Sequence, residues 1–127
     1  MSTSITISAG SLTLTAELND SATARRLAEA LPVVGEVLRW GQEVYFETPV
    51  AAEQSDDARA EMAVGEIGYW PVGKAMCIFF GPTPASGPDG APRAASPVNP
   101  IGEVLDDATA LAAVKAGTKI TVAVKRD

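Results

Sequence analysis

The sequence predicts a mainly β protein: a closed, mostly antiparallel barrel of eight strands with two short helices, forming one domain over residues 1–127. Three observations carry this. Segments in which apolar and polar residues alternate recur along the chain, the joints between them are short and rich in glycine, and the two helical patterns are separated by most of the strands. A chain of 127 residues with 46% hydrophobic content is one domain with a full core.

The elements follow in order. From Ser4 to Ser8 and from Ser11 to Leu18 the residues alternate, with Ile5, Ile7, Leu12, Leu14, Ala16 and Leu18 on the apolar side. Ala9-Gly10 between them is a tight-turn signal, so an opening hairpin is expected. Asn19-Asp20-Ser21 offers side-chain oxygens to cap a helix, and Ala24, Leu27, Ala28 and Leu31 recur at helical spacing up to Pro32. Arg25, Arg26 and Glu29 lie on the other side of this helix, so it should cover an opening of the barrel. Val33 to Trp40 and Glu43 to Thr48 form a second hairpin around Gly41-Gln42, limited by Pro49. Ala51 to Ala63 is a polar loop or short strand pair.

The stretch from Gly68 to Pro84 is the densest in uncommon residues, with glycine and proline at both ends of an apolar run. That run, of about six to seven residues, reads as a strand buried on both faces, with a tight turn at each end. Six of the nine prolines then fall between Pro82 and Pro100, which predicts a long irregular loop and a candidate rim of a site. Val98 to Leu105 resumes as a strand. Asp106-Asp107 caps a short helix through Leu111 and Val114, Gly117 ends it, and Ile120, Val122 and Val124 form the last strand.

Ten basic against sixteen acidic residues give a net charge of −6, which repels nucleic acid, and between Glu43 and Glu66 seven acids face only Arg59. The absence of histidine removes the commonest general base, the Ser-His-Asp and Cys-His arrangements and every His-containing zinc site. Acidic pairs such as Asp56-Asp57 and Asp106-Asp107 lack the ligand spacing of a calcium loop, so no metal or cofactor is expected. A single cysteine makes no internal disulfide, and neither a signal sequence nor a membrane-spanning run is read, so a cytoplasmic protein is expected.

Three segments carry a resemblance: WGQEVYFETPV from Trp40 to Val50, GEIGYWPVGKAMCIFFGPTP from Gly65 to Pro84, and SPVNPIG from Ser96 to Gly102. In this order they resemble the TM1367-like cyclophilin-like domain family, over nearly the whole chain. The resemblance implies a small eight-stranded barrel of the cyclophilin fold and no particular reaction. Proline isomerases of that fold place an arginine beside the amide nitrogen over an apolar floor. The Phe-His-Arg, Gln-Gly-Gly-Asp and Phe-x-Met-Ala segments that supply this are not present here as such. Arg39 alone stands on the expected third strand, as the catalytic candidate for a weak peptidyl-prolyl isomerase.

The leading expectation is a binding module whose groove, lined by Phe46, Tyr69, Trp70 and Phe80 with a rim at Thr83 and Pro84, takes a peptide segment or small molecule. Lys74, at the start of an apolar strand, is an anion contact or a snorkelling rim charge. Cys77 reads as a small buried hydrophobe with no histidine to activate it. Glu17 and Glu47 stand on alternating strands, where solvated faces carry such carboxylates routinely. A third reading, from the fold alone, is an accessory subunit of an amidohydrolase complex such as those acting on allophanate or 5-oxoproline. Nothing in the sequence sets the oligomeric state.

Overall fold

In the computed structural model, which describes residues 2–126, the chain opens with the hairpin that the alternation predicts. Strands β1 (Thr3–Ala9) and β2 (Leu12–Leu18) pair antiparallel from Thr3↔Leu18 to Ala9↔Leu12, and Gly10 takes the positive φ of 61° that the turn requires. Helix α1 (Ala22–Ala30) starts at Ser21, whose hydroxyl accepts the Ala24 N–H at 3.3 Å. Ala24 and Leu27 are its buried contribution to the interior.

The strands β3 (Val33–Glu36), β4 (Leu38–Arg39), β5 (Glu43–Glu47), β6 (Arg59–Glu61), β7 (Glu66–Trp70), β8 (Ala75–Phe79), β9 (Arg93–Val104) and β10 (Lys119–Val124) complete the sheet. A 3-10 helix at Ala108–Ala113 replaces the second predicted helix, capped by Asp107. The hydrogen-bonded order is β3-β10-β1-β2-β9-β7-β8-β5-β4, with β6 pairing on β9.

The expected closed eight-stranded barrel is therefore corrected: the sheet has ten strands and is not closed by hydrogen bonds. The reason lies at Val37, where the single predicted strand from Val33 to Trp40 breaks. Its first half pairs with β10 and its second with β5. Val37 itself is anchored by its N–H to Thr118 O and by its carbonyl to Gly117 N–H, each at 2.8 Å. Consecutive pieces of one segment thus form the two ends of the sheet. They approach closely because Gly35 has no side chain; a Cβ there would meet the Phe46 side chain at 3.2 Å and Glu47 O at 3.3 Å.

The predicted proline-rich loop is shorter than expected, because β9 begins at Arg93 rather than Val98. Pro97 and Pro100 lie inside this strand. The ladder to β7 tolerates this through an irregular register between Ile67↔Gly102 and Gly68↔Pro100, which is where a residue without an N–H can sit.

Two apolar clusters follow from strand parity. Val44 and Phe46 of β5, with Met76 and Ile78 of β8, face the interior together with Ile5, Leu18, Leu27, Tyr69 and Ile120. The intervening residues Ala75, Cys77 and Phe79 face outward and are nonetheless buried, under Met62, Ala94 and Val98. This second, covered face borders the cavity described below.

Asn99 clamps the cover from the other side. It is 1% exposed; its amide donates to Thr23 Oγ1 at 3.0 Å and Glu53 O at 2.9 Å, and its oxygen accepts the Ser55 N–H at 2.8 Å. Asn99→Ala leaves these groups without their partner and should lower stability by about 2 kcal/mol. Urea unfolding measures it, and an unchanged midpoint would remove the clamp from the account.

Candidate ligand-binding site

On the outer face of β5 and β8 lies a cavity of about 190 Å³ lined by Trp40, Glu43, Tyr45, Trp70, Cys77, Ala94, Ala95, Ser96 and Val98. Its floor follows from register. Tyr45 pairs with Cys77, and Glu43, two residues along the same face, pairs with Phe79. Trp70, at the end of β7, pairs with Ala75 and forms one wall. The first half of β9 supplies another. Trp40 enters from the β4–β5 turn, where its N–H donates to Glu43 O at 3.0 Å. Both tryptophans of the chain therefore line this one cavity.

Glu43 is the unusual member. It is 6% exposed, and among the described residues no Lys or Arg forms an ion pair with it. Burial pushes its carboxyl up to about 7, opposed only in part by a hydrogen bond from the Cys77 thiol. Burial first, and then the neighbouring Glu43 carboxylate, push the Cys77 thiol well up, so Cys77 is held as an inert thiol, as its setting in the sequence suggests. The site thus presents a carboxyl group that exchanges its proton near neutral pH, inside an aromatic enclosure.

Of the residues singled out in the sequence, Trp70 lines this cavity. Phe46, Tyr69 and Phe80 are 0%, 0% and 2% exposed and belong to the interior. The Tyr69 hydroxyl is spent on Val50 O at 2.6 Å. Thr83 is buried and holds the loop after β8, its N–H donating to Ser86 Oγ at 2.9 Å and its hydroxyl to Arg93 O. Pro84 is exposed beside the Gly41 turn, and Lys74 is exposed in the β7–β8 turn at a φ of 51°. The groove expected from these residues is thus not brought together as one surface. Each of the three interior aromatics stands next to a residue of opposite parity that does face outward: Tyr45 beside Phe46, Trp70 beside Tyr69, Phe79 beside Phe80.

Arg39 is engaged structurally. Its guanidinium donates to Val114 O at 2.7 Å, Ala112 O at 3.3 Å and Gly41 O at 3.2 Å, and lies 5.1 Å from the centroid of the Phe80 ring. It ties the β4–β5 turn to the end of the 3-10 helix and does not line the cavity. Glu43, Trp40 and Tyr45 were the residues missed. A sequence signal existed for Glu43, since it shares the parity of Tyr45 across Val44, but nothing in the alternation says that this face is covered.

Two larger clefts are less organised. One of about 530 Å³ runs past Glu17, Asp20, Glu66 and Glu103, and one of about 550 Å³ lies between α1 and Glu53. In the first, Glu66 already pairs with Arg59. Among the described residues no group of His, Cys, Asp and Glu is arranged to hold a metal ion, and no helix is long and apolar enough to cross a membrane.

Comparison with known proteins places this geometry in a family. The chain is similar to the hypothetical protein AF2241 from Archaeoglobus fulgidus, whose solution structure superposes with a TM-score of 0.81 at 34% identity, covering 97% of this chain and 95% of that one. No curated protein matches it. The model of the cyclophilin-like family matches residues 3–123, in agreement with the resemblance carried by the three sequence segments. With nearly its whole length matched in this way, the chain belongs to the cyclophilin-like family.

Proposed function

We propose that this protein is a binding protein for a small molecule, taken into the outer-face cavity between Trp40, Tyr45 and Trp70 with Glu43 at its floor. The single observation that supports this is the convergence of both tryptophans on one buried carboxyl group that has no ion-pair partner among the described residues. Aromatic rings supply contact area at low entropic cost, and a lone polar group fixes orientation, which is the usual composition of a ligand site. At about 190 Å³ the cavity is below the roughly 300 Å³ at which drug-sized pockets begin, so the ligand, or the part of it that enters, is small.

A screen of small soluble fragments followed through the two indole N–H resonances tests the reading, because both tryptophans of the chain line the cavity. Fragments that bind should shift both. Trp70→Ala should weaken them by about fivefold or more, since an aromatic contact is worth roughly 1 kcal/mol beyond its area. The melting temperature should move by only a few degrees, because Trp70 lies at the edge of its cluster. A collapse of stability without a separable loss of binding would return Trp70 to packing.

A further inference from the structure

We propose that the outer-face cavity takes a compact organic cation, a protonated or methylated ammonium group, with the carboxylate of Glu43 as its counter-ion and the rings of Trp40, Tyr45 and Trp70 as its walls. The inference rests on the reading of the cavity as a ligand site and narrows it to one charge class. A carboxyl that is 6% exposed and has no ion-pair partner among the described residues is costly to keep ionised, and a cationic ligand supplies one. Three aromatic residues line the same cavity, and aromatic rings attract ammonium groups through the negative charge of their faces. The net charge of −6 draws cations toward the molecule.

The groups that face Glu43 leave it free for this role. From its own strand comes Tyr45, from β8 Cys77, from β7 Trp70, and from β9 Ala94, Ala95, Ser96 and Val98. Arg93, at the start of β9, is paired with Glu61, and Arg39 is held by carbonyls and over Phe80. Cys77 and Tyr45 are thus the other titratable groups facing the cavity, and neither carries a positive charge.

Choline and its uncharged carbon isostere, dimethylbutanol, are the probes, titrated at constant ionic strength and read by tryptophan fluorescence and the indole N–H resonances. Choline should bind saturably and at least about tenfold more tightly than dimethylbutanol. Its affinity should rise about tenfold between roughly pH 5.5 and pH 8 as Glu43 ionises. Glu43→Gln should keep the fold by circular dichroism, lose about tenfold in choline affinity and lose the pH dependence. Trp40→Leu, which leaves the charge in place, should weaken choline more than dimethylbutanol. If both probes bind equally well, or if choline affinity falls as pH rises, the cavity binds ligands but the cationic class is wrong. If neither probe nor any screened fragment moves the indole signals, the reading of the cavity as a site fails as well.

Discussion

Gly102→Ala is expected to cost about 3 kcal/mol or more, at the top of what overpacking does to a folded domain. Gly102 lies in β9 between two neighbours, paired with Leu18 of β2 on one side and with Ile67 of β7 on the other. A Cβ at this position would stand 2.2 Å from Glu17 O and 3.0 Å from the Leu18 Cα. Both obstacles are backbone, so no side chain can swing away, and the β2–β9 ladder itself has to open. That ladder joins the two halves of the sheet. A loss of about 3 kcal/mol corresponds to a fall of roughly 12 °C in melting temperature for a domain of this size. Gly87→Ala is the control. The nearest atom to its added methyl is Asp89 Oδ1 at 4.0 Å, and its effect should stay within about 0.5 kcal/mol. A Gly102→Ala protein as stable as the control would show that β2 and β9 do not approach as described.

Glu43→Gln is expected to stabilise the protein, and to do so only above the acid range. The ordinary value for this carboxyl is 4.5, and burial raises it to about 7 in the folded state. Between these two values the folded protein keeps a proton that the unfolded chain has released, so stability falls as pH rises through this window. Below about pH 4.5 the group is neutral in both states and contributes no penalty. Above about pH 7 it is ionised in both, and the folded state carries the full cost of a buried, unpaired charge, about 2 to 3 kcal/mol. Glutamine has nearly the same shape and no charge. In urea unfolding, its advantage over the native residue should therefore widen by about that amount between roughly pH 5 and pH 8.5. An advantage that does not change with pH would mean that Glu43 is solvated and that the cavity floor is open to water.

Much of the architecture was legible because it depends on local chemistry. Ile5 and Ile7 alternating with serine and threonine dictate a strand with one wet face, Gly10 permits the turn, and Ser21 caps the helix before Ala24 and Leu27. Each of these is decided within a few residues. The long strand from Arg93 was not legible, because its residues read as loop wherever Pro97 and Pro100 are weighed alone. Only the partner strand β7, by slipping its register, makes room for them. The break at Val37 was hidden for a related reason. The run from Val33 to Arg39 holds no proline or turn pair to mark a change of partner, which is set by where β10 and β5 lie in space.

The site divides in the same way. The sequence by itself determined that the segments of β5 and β8 are strands, that Val44 and Phe46 face away from Tyr45 and Glu47, and that the chain resembles cyclophilin-like domains; Glu66–Trp70 was not read as a strand of its own. Trp70 was singled out as an aromatic flanked by Pro71 and glycines beside a proline-rich loop. What only the tertiary structure decided is which parity looks inward. Phe46, Tyr69 and Phe80 point to the interior, while Tyr45, Trp70 and Glu43 point to a face that Ala94, Val98 and Met62 cover from a distant part of the chain. A period of two fixes the relation between neighbours and leaves the choice of side to whatever packs against each face. That choice rests on contacts from far along the chain, and it turned an ordinary strand carboxylate into the buried floor of a cavity.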